Sequence, residues 1–294
     1  MNRAAWKLLD ILEETATYFA GKDIENPRLQ AEILLADVLE LRRLDLYLQF
    51  ERLLRPEEVD AYRGHVRRRA ANVPAQYITG VAAFRGLELA VNDQVLIPRP
   101  ETEILVDVAL EHLDGPRDNL AADIGTGSGA VALSLAQEHP SCQVLATDVS
   151  TPALNVARAN TAGSGLEAKV WCVAADMAVG LVPARPGDGF DCIVSNPPYI
   201  PSAAIAELEP EVRANEPRLA LDGGEDGLDC YHSIAARAGD LLKPGGLLAV
   251  EVGDPQQANE VAALFSAVAG LTESRIRDDL NGIPRVVFST RSGD

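Results

Sequence analysis

From about residue 118 onward, short apolar runs alternate with helix-patterned stretches, and this restricts the possible folds more than any other feature of the chain. NLAADIG is followed by SGAVALSLAQEH and CQVLATD by TPALNVARANTAG; AKVWCVAAD, FDCIVS and GGLLAVEVG come next, the last followed by PQQANEVAALFSAVAG. Near-continuous apolar runs suit strands buried on both faces, and strands separated by helices pair in parallel through crossovers. The expected architecture is an α/β doubly wound, mostly parallel sheet with helices on both faces. The segment ESRIRDDLNGIPRVVFSTR departs from this, with two strand-like runs around Asn281-Gly282 and no helix between them. A hairpin that closes the sheet with an antiparallel last strand is expected there.

Upstream the period changes. Between Asn2 and Ala71 apolar residues recur at three- and four-residue spacings, as in Leu29, Ile33, Leu34, Ala36, Val38 and Leu41, with Gly21-Lys22 and Pro56 as interruptions. A small all-helical domain is expected over residues 1–74. Alternation at Leu87, Leu89 and Val91, with Gly80, Gly86 and Asn92-Asp93 between runs, predicts a β-hairpin linker over 75–97. The α/β domain then occupies 98–294 and opens with a helix from Glu101 toward His112.

No apolar run reaches the roughly 18 residues a membrane span needs, and MNRAAWKLLDILEET carries charges where a signal peptide has its apolar stretch. A soluble, cytoplasmic protein with no membrane partner is expected. Cys142, Cys172, Cys192 and Cys230 show no C-x-x-C spacing and read as free thiols in a reducing compartment, with no metal implied. Of the net charge of −18, residues 101–294 account for −17, with 12 basic and 29 acidic side chains. Nucleic-acid binding depends on Lys and Arg neutralising phosphates, so a body this acidic is expected to bind none directly. The one basic run, RGHVRRRA at 63–70, reads as a solvated helix face.

ADIGTGSGAVAL places Gly125, Gly127 and Gly129 where a strand turns into a helix. Glycine there permits positive φ and lets a ligand approach the backbone without meeting a Cβ. The spacing is not the dinucleotide G-x-G-x-x-G, and no G-K-[ST] phosphate loop is present. Asp148 ends the next run, where a carboxylate can accept both hydroxyls of a ribose. Asp176 ends the third and could accept an adenine amine, with the backbone N–H of Met177 offered to a ring nitrogen. An adenosine without a pyrophosphate is implied, and S-adenosylmethionine fits.

The fourth strand ends in Asn196-Pro197-Pro198-Tyr199. Proline lacks an N–H and forces its predecessor into extended geometry, so the segment is stiff and presents acceptors rather than donors. The Asn196 side-chain oxygen and the Pro197 carbonyl can accept both hydrogens of one planar NH₂ group, with Tyr199 against its face. Such acceptors orient a poorly basic amide nitrogen for in-line attack on a sulfonium methyl and stabilise the charge that develops. The exocyclic amine of adenine is also planar and conjugated, so an adenine-N6 nucleic-acid methyltransferase is the alternative.

Together DIGTGSGA, ATDVS, SNPPYI, VLIPRPETE, ALDGGEDGLD and PRVV resemble the HemK/PrmC glutamine methyltransferases over nearly the whole chain. The resemblance implies a helical domain that grips the substrate protein, a hairpin linker and a class I S-adenosylmethionine-dependent methyltransferase domain of Rossmann-like topology. It implies transfer of a methyl group to the side-chain nitrogen of the glutamine in the Gly-Gly-Gln loop of peptide chain release factors, which tunes translation termination. By matching positions, Gly125, Thr126, Gly127, Ser128 and Gly129 would wrap the methionine part of the cofactor and Asp148 would hold the ribose. Asp176 and Met177 would flank the adenine, and Asn196, Pro197, Pro198 and Tyr199 would bind the glutamine amide. Arg99, Pro100, Glu101 and Thr102 would border the site. Met177 stands where many relatives have an aromatic residue; the acidic segment 207–229 receives no individual roles.

Overall fold

The computed structural model of the chain describes residues 6–113, 115, 117–182 and 189–293. It comprises two compact units: the chain up to Val81 together with Pro210–Asn215, and Ala82–Glu209 together with the chain from Glu216.

The first unit is built from helices α1 (Leu8–Ala20), α2 (Pro27–Leu39), α3 (Arg43–Tyr47), α4 (Pro56–Ala70) and α5 (Ala75–Thr79). Leu8, Ile11, Leu12, Thr15 and Phe19 form the buried stripe of α1 at helical spacing. Pro56 occupies the first turn of α4, and the buried Glu58 carboxylate accepts the Arg55 backbone N–H at 2.8 Å, closing that helix start. The unit is not all helical: β1 (Trp6–Lys7) pairs antiparallel with β2 (Leu53–Leu54), so the first helix begins at Leu8. Residues 75–79, expected within the hairpin, form α5 instead. Pro74 starts it, Gly80 ends it at a φ of 77°, and Ala75 and Ile78 drop into the helical core three residues apart. The basic run on α4 is not simply a solvated face. Arg69 is buried and reaches Glu211 at 2.6 Å and Gln30 at 3.0 Å, while Arg68 donates to the Tyr77 carbonyl at 3.1 Å.

The hairpin strands β3 (Val81–Phe84), whose first residue closes the first unit, and β4 (Leu87–Ala90) lead, in the second unit, through a 3₁₀ turn at Pro100–Thr102 into α6 (Glu103–His112). There follow β5 (Asn119–Ile124), α7 (Ala130–Glu138), β6 (Cys142–Asp148), α8 (Thr151–Gly163), β7 (Val170–Ala174) and β8 (Phe190–Ser195). After α9 (Pro210–Asn215), which belongs to the first unit, come α10 (Asp229–Leu241), β9 (Leu242–Glu251), α11 (Pro255–Ser266), β10 (Arg275–Asp278) and β11 (Pro284–Thr290). The sheet order is β10-β11-β9-β8-β5-β6-β7, with β9, β8, β5, β6 and β7 parallel and β11 and β10 joined antiparallel. This is the doubly wound, mostly parallel sheet expected from the alternation of runs, including its antiparallel end.

Successive strand residues feed opposite cores. Cys192, Val194, Leu247 and Ala249 pack on the side that holds the residues of α6 and α7, whereas Ile193, Leu248 and Val250 pack with α10 and α11. Cys142 and Cys192 are buried free thiols, while Cys172 and Cys230 are free and partly exposed. Among the described residues no helix is long and apolar enough to cross a membrane. Phe265 on α11 is fully buried in the second core. Phe265→Ala is expected to lower stability by about 3–5 kcal/mol in denaturant unfolding, because the remaining side chains cannot fill the void.

Candidate active site

The parallel strands all point their carboxyl ends at one edge, and a cavity of about 440 Å³ opens there, within the size range of small-molecule sites. Its wall includes the turn after β5, the end of β6, the residues beyond β7 and the start of the segment after β8.

The turn after β5 is held from behind. The buried Asp123 carboxylate accepts the Thr126 hydroxyl at 2.6 Å and the Ala132 backbone N–H at 3.1 Å, and Asn160 donates to the Ser128 carbonyl at 2.8 Å. Gly125 and Gly127 have φ of 73° and 56°, and a Cβ added to either would meet nothing within 4 Å. Backbone thus faces open cavity, the room a ligand needs to lie against it. Thr126 and Ser128 line the cavity as well. Gly129 does not: at φ 86° its hydrogen points at Leu133 and Ala157, so it serves the packing of α7 on α8. That differs from the cofactor contact expected for it.

Asp148 accepts the Gly127 backbone N–H at 2.9 Å and the Ser150 backbone N–H at 2.8 Å. These bonds fix its carboxylate at the cavity wall, and each oxygen retains a lone pair for a ligand hydroxyl. Burial holds its pKa above the usual aspartate value, against the pull of those N–H groups. Asp176 and Met177 also line the cavity, Met177 with a φ of 45°. Burial raises Asp123 further, to about 6, despite its hydrogen bonds to Thr126 and Ala132 and with the Asp148 charge adding to the effect. Asp123 and Asp148 each hold a proton more tightly folded than unfolded. Each therefore lowers stability as pH climbs from about 4 through its folded value.

At the end of β8 the Asn196 Nδ2 donates to the Thr102 hydroxyl at 3.0 Å, which turns Oδ1 away from that bond. Asn196 and Pro198 line the cavity, whereas Pro197 is buried and lies off its wall. Tyr199, expected against the substrate, is also off the wall. Its ring packs so close to Gly253 that a Cβ there would come within 2.9 Å of it, and burial pushes the phenol up to about 12. It props the segment and stays neutral.

The acidic segment that sequence left without roles braces this one. Ile200 N–H donates to the Leu221 carbonyl at 3.0 Å and Gly223 N–H to the Ile200 carbonyl at 2.9 Å, a short parallel bridge. Gln257 on α11 donates to the carbonyls of Tyr199 and Gly227 at 3.0 and 3.2 Å. Glycine is required where the two backbones touch, since a Cβ on Gly227 would lie 2.4 Å from the Tyr199 oxygen at a φ of 80°. Gly227→Ala is expected to lower stability by about 1–3 kcal/mol, read by thermal unfolding, through forced displacement of Tyr199.

Sequence reasoning did not single out Asp123, Gln257 or Glu251, the last buried at the end of β9 with its carboxyl raised to about 7, mainly by burial. Their signal is a polar residue inside an apolar run or helix face, visible in DIG and VEVG once the strands are known to be covered on both sides. Among the described residues no group of His, Cys, Asp or Glu is placed to hold a metal ion.

The chain matches two family descriptions, the PrmC N-terminal domain over residues 10–80 and the methyltransferase small domain over residues 102–209. The release factor glutamine methyltransferase of Geobacter sulfurreducens is 44% identical over 96% of this chain and 96% of its own. That of Chlorobaculum tepidum is 42% identical over 95% and 96%, respectively. A methyltransferase structure from Pyrococcus furiosus, 22% identical, superposes with a TM-score of 0.52 over 71% of this chain and 91% of its own, a likeness of fold. With such identity over nearly the full length, and the glycine turn, acids and Asn-Pro-Pro-Tyr segment gathered at one sheet edge, the chain belongs to the release factor glutamine methyltransferase family.

Proposed function

We propose that the protein transfers a methyl group from S-adenosylmethionine to the side-chain amide nitrogen of the glutamine in the Gly-Gly-Gln loop of a peptide chain release factor. The observation that carries this is the Asn196 amide, held by its nitrogen on Thr102 so that its oxygen remains to accept a hydrogen from a planar NH₂ group at the cavity. The open space in front of Gly125 and Gly127 and the oriented Asp148 carboxylate fit the cofactor, with Gly125 to Ser128 along its methionine part, Asp148 on its ribose and Asp176 and Met177 at its adenine.

When bound, the cofactor supplies an electrophilic methyl on a sulfonium. Asn196 Oδ1 accepts one hydrogen of the glutamine NH₂; Pro197, expected to supply the acceptor for the other, is buried off the cavity wall and is given no such role. The amide nitrogen is a weak nucleophile because its lone pair is shared with the carbonyl. An acceptor on its hydrogen fixes its direction of attack and stabilises the positive charge that grows as the N–C bond forms and the S–C bond breaks. Proline contributes here by lacking an N–H, so no donor at Pro197 or Pro198 competes for the acceptor. The methylated nitrogen, far more acidic than its parent, releases its proton to water. Tyr199 keeps the segment in place from outside the cavity wall.

The helical unit, with Leu44, Leu48 and Leu53 exposed, is assigned to grip the release factor. A place beside the ribosomal machinery puts the protein in the cytoplasm. The acidic α/β unit, at −17 for residues 101–294, disfavours a nucleic-acid substrate.

Radiolabelled cofactor incubated with a release factor and with duplex DNA is expected to label only the release factor, and a release factor with the loop glutamine replaced should take up none. Label on DNA alone would overturn the reading. Asn196→Ala should keep cofactor affinity within about twofold while turnover falls about 10²–10³-fold, the scale for loss of one preorganised transition-state hydrogen bond. Cofactor affinity should weaken as pH falls through the raised pKa of Asp148, because only the ionised carboxylate accepts both ribose hydroxyls. Calorimetric titration of Asp148→Asn is expected to show weaker binding and the loss of that part of the pH dependence.

A further inference from the structure

The strip that carries Asn196 leaves the sheet just after its last paired residue. Ser195 stands in register with Ile124 and Val250, and its hydroxyl donates to the Ile124 carbonyl at 2.6 Å. Asn196 follows, with its nitrogen on Thr102 at 3.0 Å. Pro197 and Pro198 then have no N–H with which to join a ladder, so the strip depends on a second support at its far end.

A single side chain supplies it. Gln256 and Gln257 are neighbours in the first turn of α11, but Gln256 is exposed and donates to Glu260 at 2.9 Å, whereas Gln257 is 7% exposed. The Gln257 Nε2 donates to the Tyr199 carbonyl at 3.0 Å and to the Gly227 carbonyl at 3.2 Å, and Oε1 accepts the Gly253 N–H at 2.9 Å. Two carbonyls on one side and an N–H on the other admit one orientation of the amide, since a half-turn would set oxygen against oxygen. The side chain also starts from a fixed base, because the Asp254 carboxylate caps α11 by accepting the Gln257 backbone N–H at 2.9 Å. Tyr199 is therefore held twice, by its carbonyl on Gln257 and by its ring against Gly253.

We infer that Gln257 is a positioning residue for methyl transfer, which fixes the far end of Asn196-Pro197-Pro198-Tyr199 and with it the place of the Asn196 acceptor. It stands off the cavity wall and acts through Tyr199, and the inference rests on the reading of Asn196 given above. The prolines carry the effect. Their rings fix φ at Pro197 and Pro198, and each restricts the residue before it, so few torsions between Asn196 and Tyr199 can absorb a shift. The Thr102 bond holds Asn196 at one point and leaves the strip free to tilt about it; the Gln257 bond three residues on removes that tilt. In-line attack tolerates little, since a misplacement of about 1 Å can lower a rate about 100-fold. The same amide fastens Gly227, and Asp222 and Gly224 just before it line the cavity, which gives the acidic segment its part as the other half of the mount.

The test uses the full chain. Gln257→Met keeps the length and apolar body of the side chain and removes both donors. It is expected to lower kcat about 10–100-fold, with KM for the release factor and cofactor affinity within about threefold of wild type, because the groups assigned to hold those partners stand on other elements. Two buried carbonyls lose their donor, so the thermal midpoint falls as well. Rates are therefore measured where circular dichroism shows each variant fully folded, and Phe265→Leu serves as the control. It lies further along α11, makes none of these hydrogen bonds and lowers the midpoint through packing, yet should keep kcat within about twofold of wild type. Gln257→Glu, nearly isosteric, has no hydrogen for either carbonyl when ionised and should lose as much kcat as the methionine variant. Gly227→Ala, whose Cβ would lie 2.4 Å from the Tyr199 oxygen, displaces the same carbonyl with Gln257 intact and should reproduce the pattern.

A readout independent of activity is the side-chain NH₂ resonance pair of Asn196, assigned by its loss in Asn196→Asp. It should shift in both Gln257 variants and in Gly227→Ala and stay in place in Phe265→Leu. Wild-type kcat in folded Gln257→Met, Gln257→Glu or Gly227→Ala, an equal loss of kcat in Phe265→Leu, or an NH₂ pair unmoved by the first three would overturn the inference. Wild-type protein that fails to label the release factor overturns the functional reading instead, and the resonance pattern still decides whether Gln257 positions Asn196.

Discussion

The arrangement depends on the parallel pairing of β5 with β8 on one side and β6 on the other. Parallel neighbours end at the same edge, and both faces of such a sheet must be covered, here by helices on two separate cores. The covered faces leave the strand ends as the place where polar side chains can meet without being sealed in. Everything assigned to the cofactor or the substrate amide stands there: the glycine turn after β5, Asp148 on β6, Asp176 beyond β7 and Asn196 after β8.

Such a site requires acids held where water is scarce, and their protonation follows from burial more than from neighbouring charge. Asp123, Asp148 and Glu251 all have pKa values raised from their ordinary values, with desolvation as the leading cause. Asp123 spends its hydrogen-bonding capacity on the turn, Asp148 keeps some for a ligand, and Glu251 has an oxygen with no partner among the described residues. The same kind of group, in slightly different company, thus shapes the backbone, faces the cavity or stays buried with an unpartnered oxygen.

Local signals in the chain were read reliably where one residue type has one physical use. Glycines at positive φ marked the turn, Asn281-Gly282 marked the closing hairpin, and the apolar runs marked the strands. The same signals misled where a local pattern has two uses. Gly129 shares the motif but packs α7 on α8, and Ala75–Thr79 reads like the start of a hairpin yet buries Ala75 and Ile78 as a helix. Tyr199 lies in the functional segment but its ring fills the space before Gly253. Which way a side chain turns depends on what occupies the neighbouring volume, and a linear motif holds no record of that.

By itself the sequence determined the order of strands and helices, the doubly wound class, the acceptor character of Asn196-Pro197-Pro198 and the acidity that argues against nucleic acid, because these follow from period, from the covalent geometry of proline and from charge. Only the tertiary structure decided that Thr102, 94 positions before Asn196, would receive its amide nitrogen, that Glu251 would be buried at the end of β9, and that the glycines of the acidic segment would lie against the Tyr199 backbone. These are contacts between residues far apart in the chain, each set by a hydrogen bond or a clearance of a few tenths of an ångström. Such distances exist only once the sheet has brought its strand ends together.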